Sequence, residues 1–177
     1  EELLTFEREL NSMDPAVREN AVTEICELLA LEEVSSKPQT VRHNLHCHTF
    51  FSYNGYGYSP SYIAWLARKE GFFAAGTVDF DVLDGVDEFL KAARKLNVRF
   101  TSGMETRVYV PEMADKEINS PGEPGIAYHL GVGFVSGVAP DSGKKFLASL
   151  KDTANARTRD IVGKVNAYLA PVSIDFE

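Results

Sequence analysis

The sequence predicts an α/β fold built on a parallel sheet or barrel, preceded by a helical segment. Three observations carry that prediction. From Val41 onward, short apolar runs alternate with amphipathic stretches of about ten residues, the pattern of strands joined by crossover helices. Groups able to bind ligands recur where successive strands should end, which is where α/β folds build their sites. Finally, 177 residues with 44% hydrophobic side chains suffice for one sizeable core but are short for two domains.

The elements follow in order. Residues 1–35 read as helix: Leu3, Leu4, Phe6 and Leu10 share one face, and a second segment opens with Asp14 as cap and Pro15 in its first turn. Ala21, Ile25, Leu28 and Leu29 continue that second face. Packing on the main body is the simplest role for this pair, and assembly with a partner or another copy through residues 1–35 is open. Ser35-Ser36-Lys37-Pro38-Gln39-Thr40 breaks the rhythm, so residues 1–40 are expected to form a helical extension and linker and residues 41–177 the main domain. In that domain, Val41–Leu45 is strand-like. Ser59-Pro60 caps a helix whose face is Tyr62, Ile63, Leu66 and Ala67 and which stops before Gly71. Phe72–Val78 reads as a second strand and Asp87–Leu96 as an amphipathic helix. A third strand is expected near Val98–Thr101, and a fourth near Arg107–Val110 or across Leu130–Val135. Gly143–Leu169 reads as a last helix weakened by Gly163, and Val172–Phe176 as a last strand. A buried parallel strand normally needs a covering element after it. The chain is therefore expected to be the front part of a longer barrel, although an open five-stranded sheet is also stable.

Composition excludes several function classes. With 26 acidic and 18 basic side chains the net charge is -8, which disfavours binding to long nucleic acid because phosphate-backbone contacts need a basic face. No apolar run approaches the roughly 18 residues that span a bilayer. Two cysteines, Cys26 and Cys47, are too few for a disulfide framework and are not spaced as a zinc knuckle, so a reducing, cytoplasmic setting is expected. The chain begins at Glu1 rather than Met, which leaves a removed leader open.

The sharpest feature is His46-Cys47-His48 at the end of the first strand. Residues i and i+2 of a strand face the same way, so two imidazoles are offered side by side, and imidazole is the commonest side chain for binding zinc, iron or manganese. His43 adds to the cluster, so three of the four histidines fall together. Cys47, between them, should face the core and is neither ligand nor nucleophile. Asp79 and Asp81, Glu105, and His129 stand where later strands should end. Singly, each is an ordinary cap or loop charge; a barrel would bring them together around one or two cations.

The succession Asn44-Leu45-His46-Cys47-His48-Thr49, Ser52, Thr77-Val78-Asp79-Phe80-Asp81 with Gly85, Gly103-Met104-Glu105 and His129-Leu130-Gly131 resembles the polymerase and histidinol phosphatase (PHP) family. The resemblance covers roughly residues 41–135. It implies a distorted seven-stranded, TIM-like β/α barrel holding two or three divalent metals (zinc, manganese, iron or magnesium) and hydrolysing phosphoesters. It implies that His46 and His48 hold a first metal, that Glu105 bridges it to a second, and that His129 holds the second. Asp79 matches the aspartate of the family's Thr-Asp-His motif and is expected to orient a ligand. Two departures stand out. Phe80 replaces that motif's histidine, and Ser52-Tyr53-Asn54-Gly55 lacks the carboxylate of the family's Ser-Asp-Gly. Both positions contribute to the third site, so at most two metals are expected. The family's later ligands, a histidine or cysteine followed by Asp-x-His, have no counterpart before Glu177.

The expected activity is two-metal hydrolysis of a small phosphorylated metabolite or nucleotide. Arg107, two residues past Glu105 on the same strand face, could meet the substrate phosphate through its planar fork; a surface ion pair is the equal alternative. Pro111–Tyr128, rich in Gly and Pro, is expected to form a loop over the site mouth. The aromatic cluster Phe50, Phe51, Tyr53, Tyr56 and Tyr58 fits a ring-stacking wall or plain packing. The competing reading is a binding or scaffold module that keeps the barrel without turnover, retaining at most a structural metal.

Overall fold

The computed structural model describes residues 1–176 and divides into two units, Glu1–Val138 and a second from Ala139 onward. In the first unit the order is α1 (Glu2–Glu9), α2 (Pro15–Ala30), β1 (His43–Cys47), α3 (Pro60–Lys69), β2 (Ala74–Phe80), α4 (Val86–Lys95), β3 (Arg99–Tyr109), a 3-10 turn (Pro111–Met113) and β4 (Ile126–Val132).

Local chemistry starts the helices where the sequence places them. Asp14 accepts a hydrogen bond from the Ala16 amide at 2.8 Å with Pro15 in the first turn of α2. Ser59 does the same for α3, accepting from the Tyr62 amide at 2.9 Å ahead of Pro60. In α4, Asp87 and Glu88 lie in the first turn and Arg94 and Lys95 in the last, each matching the helix dipole.

The strands form one sheet in the order β1-β2-β3-β4. β1, β2 and β3 run parallel, and β4 returns antiparallel to β3. The result is a mixed α/β fold with a four-stranded, half-barrel sheet; no seven-stranded barrel is present among the described residues. Two strand expectations are corrected. Arg107–Val110 is no separate strand, because β3 continues through Thr101 and Gly103 as far as Tyr109. The strand after it starts at Ile126 and is antiparallel, because the chain between them is a hairpin loop with no crossover helix.

The core lies between the helices and one face of the sheet. Leu10, Val22 and Ile25 pack in the same buried cluster as Ile63, Trp65, Phe89 and Leu96, so the N-terminal helices complete this core. Arg18, 3% exposed, pairs with Glu88 of α4 and donates to the Ser12 carbonyl at 2.7 Å, while Glu88 also accepts from the Ser61 amide and hydroxyl. That network ties α2, α3 and α4 together with every charge partnered.

The second unit holds α5 (Asp141–Leu169), none of whose residues is buried. The stretch from Val172 forms no strand. Its backbone is met at Ile174 by the Asn166 side-chain amide, which accepts from the Ile174 amide at 2.7 Å and donates to its carbonyl at 2.9 Å. A side chain of the helix thus replaces the sheet neighbour that a strand would need. No helix among the described residues is long and apolar enough to cross a membrane.

Candidate metal centre

β1 and β3 flank β2, and the site forms where β1 and β2 end, beside Glu105 in the middle of β3, which pairs with the last residue of β2. Between Asn44 and Cys47 the β1–β2 register slips: Asn44 pairs with Ala75 but Cys47 with Thr77, so β1 spends one extra residue there. Such a bulge re-aims side chains. The Asn44 side chain holds it, accepting from the His46 amide at 3.1 Å. His46 within the bulge and His48 just beyond it both turn their imidazoles to one acceptor. His46 Nε2 lies 3.1 Å and His48 Nε2 3.3 Å from the same Glu105 Oε2. The three ligand atoms fall within 4.8 Å of one another, a two-histidine, one-carboxylate set drawn from strands far apart in sequence. Nitrogen and oxygen donors in that number suit zinc, iron or manganese. Glu105 is 6% exposed. Burial beside His46 pushes the His48 imidazole below its ordinary pKa, against the pull of Glu105, and the neutral ring is the form that binds a metal.

Phe80 lies beside both His48 and Glu105. It pairs in register with Glu105 and stacks on His48 with ring centroids 5.5 Å apart and planes 13° from parallel. Tyr53 and Tyr128 pack on it at 5.1 and 5.7 Å. An apolar ring therefore stands beside His48 where an imidazole would have offered a further donor.

Asp79 lies on the other side of β2 from Phe80, since alternate residues of a strand face opposite ways. It is 4% exposed, and it accepts from the Thr49 amide at 2.5 Å and the Thr49 hydroxyl at 2.7 Å. Its role in this geometry is to clamp the turn that leaves His48. Ser52, within that turn, accepts from the Phe80 amide at 3.2 Å and sits 3.5 Å from His48 Nδ1. Asp81, with φ of 60°, takes a hydrogen bond from Thr106 at 2.6 Å and fastens the end of β2 to β3.

The remaining predicted residues fall as follows. Arg107 shares Glu105's face of β3, and its guanidinium donates to Glu123 and stands 5.9 Å from the Tyr128 ring. His129 is exposed and opposes Thr106 in the β3–β4 ladder, whereas Glu105 opposes Leu130. Its side chain thus leaves the opposite face of the strand pair, apart from the His46–His48–Glu105 cluster. His43 is exposed at the start of β1, its ring directed to the Val41 carbonyl at 3.3 Å. Cys47 packs against the core cluster as a free thiol whose pKa is raised by burial, as the alternation of β1 predicts.

Sequence reasoning did not single out Thr49, Ser120 or Glu123. Thr49 had a local signal, because it directly follows the second histidine. Ser120 and Glu123 had none beyond their place in the Gly/Pro-rich loop; Arg107, the partner of Glu123, lies on β3. Ser120 donates to Glu123 and Glu123 accepts from Arg107. The loop is pinned at its base, where the Val110 amide donates to the Gly125 carbonyl at 2.7 Å and the Gly125 amide to the Lys116 carbonyl at 2.9 Å. A side chain at Gly125 would meet the Tyr109 ring at 2.6 Å, so only glycine fits there.

No protein-family model and no curated protein matches the chain. Among solved structures it is similar to an amidohydrolase from Chromobacterium violaceum with bound sulfate and no metal, at 19% identity and a TM-score of 0.58. It is likewise similar to a candidate metal-dependent phosphoesterase from Bifidobacterium adolescentis, at 20% identity and a TM-score of 0.58. Each match covers 77% of this chain but 42% of the other, so the chain spans less than half the length of these neighbours. At such identities the likeness is one of fold.

Proposed function

We propose that the chain carries the first metal site of a metal-dependent phosphoesterase acting on a small phosphorylated substrate. One observation carries the reading: the imidazole of His46 in β1, that of His48 in the residue after β1, and the buried carboxylate of Glu105 from β3 converge on a single point beside the carboxyl ends of β1 and β2. Buried acids are seldom placed against two histidines for stability alone, because each group must be partnered or neutralised. The names of the two structural neighbours, one an amidohydrolase that holds sulfate and one a candidate metal-dependent phosphoesterase, support a hydrolase.

When bound, a divalent cation supplies Lewis acidity toward a phosphoryl oxygen and acidifies water. The protein's own residues do the rest. His46, His48 and Glu105 hold the charge, and the Thr49–Asp79 clamp fixes the turn that aims His48. Arg107 offers a planar cationic fork on the same strand face as Glu105. A two-metal mechanism, with Glu105 shared between cations, is the fuller form of the proposal; His129, on the other face of β4, gives it no support.

One observation favours a second reading, a binding module without turnover: the Phe80 ring occupies the place beside His48. The experiment that separates them is hydrolysis of an aryl phosphate by chelator-treated protein, before and after addition of zinc or manganese. Turnover that returns with metal and is abolished by Glu105→Gln is the expected result. Metal binding without turnover, in this chain and in any longer form of it, would assign the module.

A further inference from the structure

Among the buried side-chain nitrogens and oxygens of the described residues, one lacks a hydrogen-bond partner: Nε of Arg107. A buried donor without an acceptor is uncommon, and this one has a carboxylate beside it. Glu123 accepts from Nη2 of Arg107 through one oxygen and from Ser120 through the other. The two-pronged pairing that an arginine prefers with a carboxylate, through parallel N–H groups, is therefore not made. The fork is only partly filled.

We propose that the Arg107 fork is an oxyanion subsite held in the resting chain by the protein's own Glu123 carboxylate, which an incoming phosphate group displaces. Three features fit this assignment. A tetrahedral oxyanion has enough oxygens to satisfy Nε and Nη2 together, which Glu123 does not do while Ser120 holds its other oxygen. The fork stands on the metal-binding face, since Arg107 follows Glu105 by two residues, and the contacts Arg107–Tyr128, Tyr128–Phe80 and Phe80–His48 run without a break to the histidines. Glu123 is also placed to leave. It lies next to Gly122, around which a side chain would meet nothing within 4 Å, while the loop's base at Gly125 stays pinned. When Glu123 departs, Ser120 is released with it as a second donor for the anion.

This inference deepens the phosphoesterase reading by naming the group that receives the phosphate, but it is tested without metal or turnover. Inorganic phosphate is titrated calorimetrically into the chelator-treated full chain at low salt, with acetate as the control anion. Removing a charge-assisted competitor corresponds to about tenfold or more in affinity, so Glu123→Gln is expected to bind phosphate at least about tenfold tighter than wild type. The double variant Arg107→Gln/Glu123→Gln, whose net charge equals the wild type's, is expected to lose the whole gain. No tightening in Glu123→Gln, an equal tightening in the double variant, or an equal gain for acetate would each overturn the proposal. A variant that fails to fold cannot mimic a gain, and Glu123→Ala carries the same test should the glutamine variant be unstable. Tighter phosphate binding in a protein that hydrolyses nothing would uphold the subsite and sink the phosphoesterase. Turnover without tightening would do the reverse.

Discussion

Asp79 shows how a buried carboxylate next to the candidate metal centre is used for positioning. It receives two hydrogen bonds from Thr49 and faces away from the Phe80 side of β2. Asparagine at this position keeps one acceptor but turns an N–H toward a donor. Asp79→Asn is therefore expected to lower stability by about 1–3 kcal/mol in urea unfolding, the cost of leaving a buried group unpaired. The loss should depend on pH. Burial raises the Asp79 pKa, and the Thr49 hydrogen bonds only partly offset it. The folded protein thus holds this proton more tightly than the unfolded chain. The stability tied to it is fully present below the unfolded value of about 3.9 and falls as pH rises through the folded value. Because asparagine does not titrate, the margin of wild type over Asp79→Asn should narrow as pH rises from about 4. A margin that widens over that window would mean that the ionised form is the one the site favours.

At the scale of elements, the caps were the most legible feature and the ladder partners the least. Ser59 and Asp14 cap the helices their local sequence announces, because a cap is settled within four residues. Ser59 does more, since its buried hydroxyl also donates to the Leu10 carbonyl at the end of α1 and its amide donates to Asn11 at 2.8 Å. Ser59→Ala is expected to lower stability by about 2 kcal/mol, the upper range for a cap, and a change within about 0.5 kcal/mol in urea unfolding would show that the cap is dispensable. The direction of β4 was not legible. Apolar periodicity marks a strand but not its neighbour, and the loop before it carries turn residues that suit a hairpin as well as a crossover. The same limit explains His129. Its position at a strand was readable, but the face it takes depends on the β3–β4 register, which pairs it with Thr106. The pair His46 and His48 was readable because both histidines sit on one short segment. The Asn44–Cys47 bulge that aims them was not, since a bulge shows only against its partner strand.

At the scale of the whole molecule, the N-terminal helices are part of the body that carries the site. Trp65, the sole tryptophan of the chain, is 1% exposed, and its indole donates to Glu7 of α1 at 2.8 Å. Removing residues 1–35 would uncover Trp65 together with Ile63 and Phe89. The truncated chain is therefore expected to show red-shifted tryptophan fluorescence and to lose its cooperative unfolding transition, as a two-state core does when part of it is taken away. An unchanged spectrum and transition would make the helices an appendage. The sequence announced an α/β sheet and the histidine pair at the end of its first strand, since periodicity and motif order are local. How many strands one sheet contains depends on pairing over long separations, and the described residues form a sheet of four. The proposed function rests on His46, His48 and Glu105 holding a metal ion together. Metal stoichiometry by elemental analysis of purified wild type beside His46→Ala/His48→Ala tests it most directly. At least one equivalent of a transition metal in the wild type, lost in the double variant with the fold intact by circular dichroism, is the predicted result. Equal metal content in the two proteins would contradict the claim.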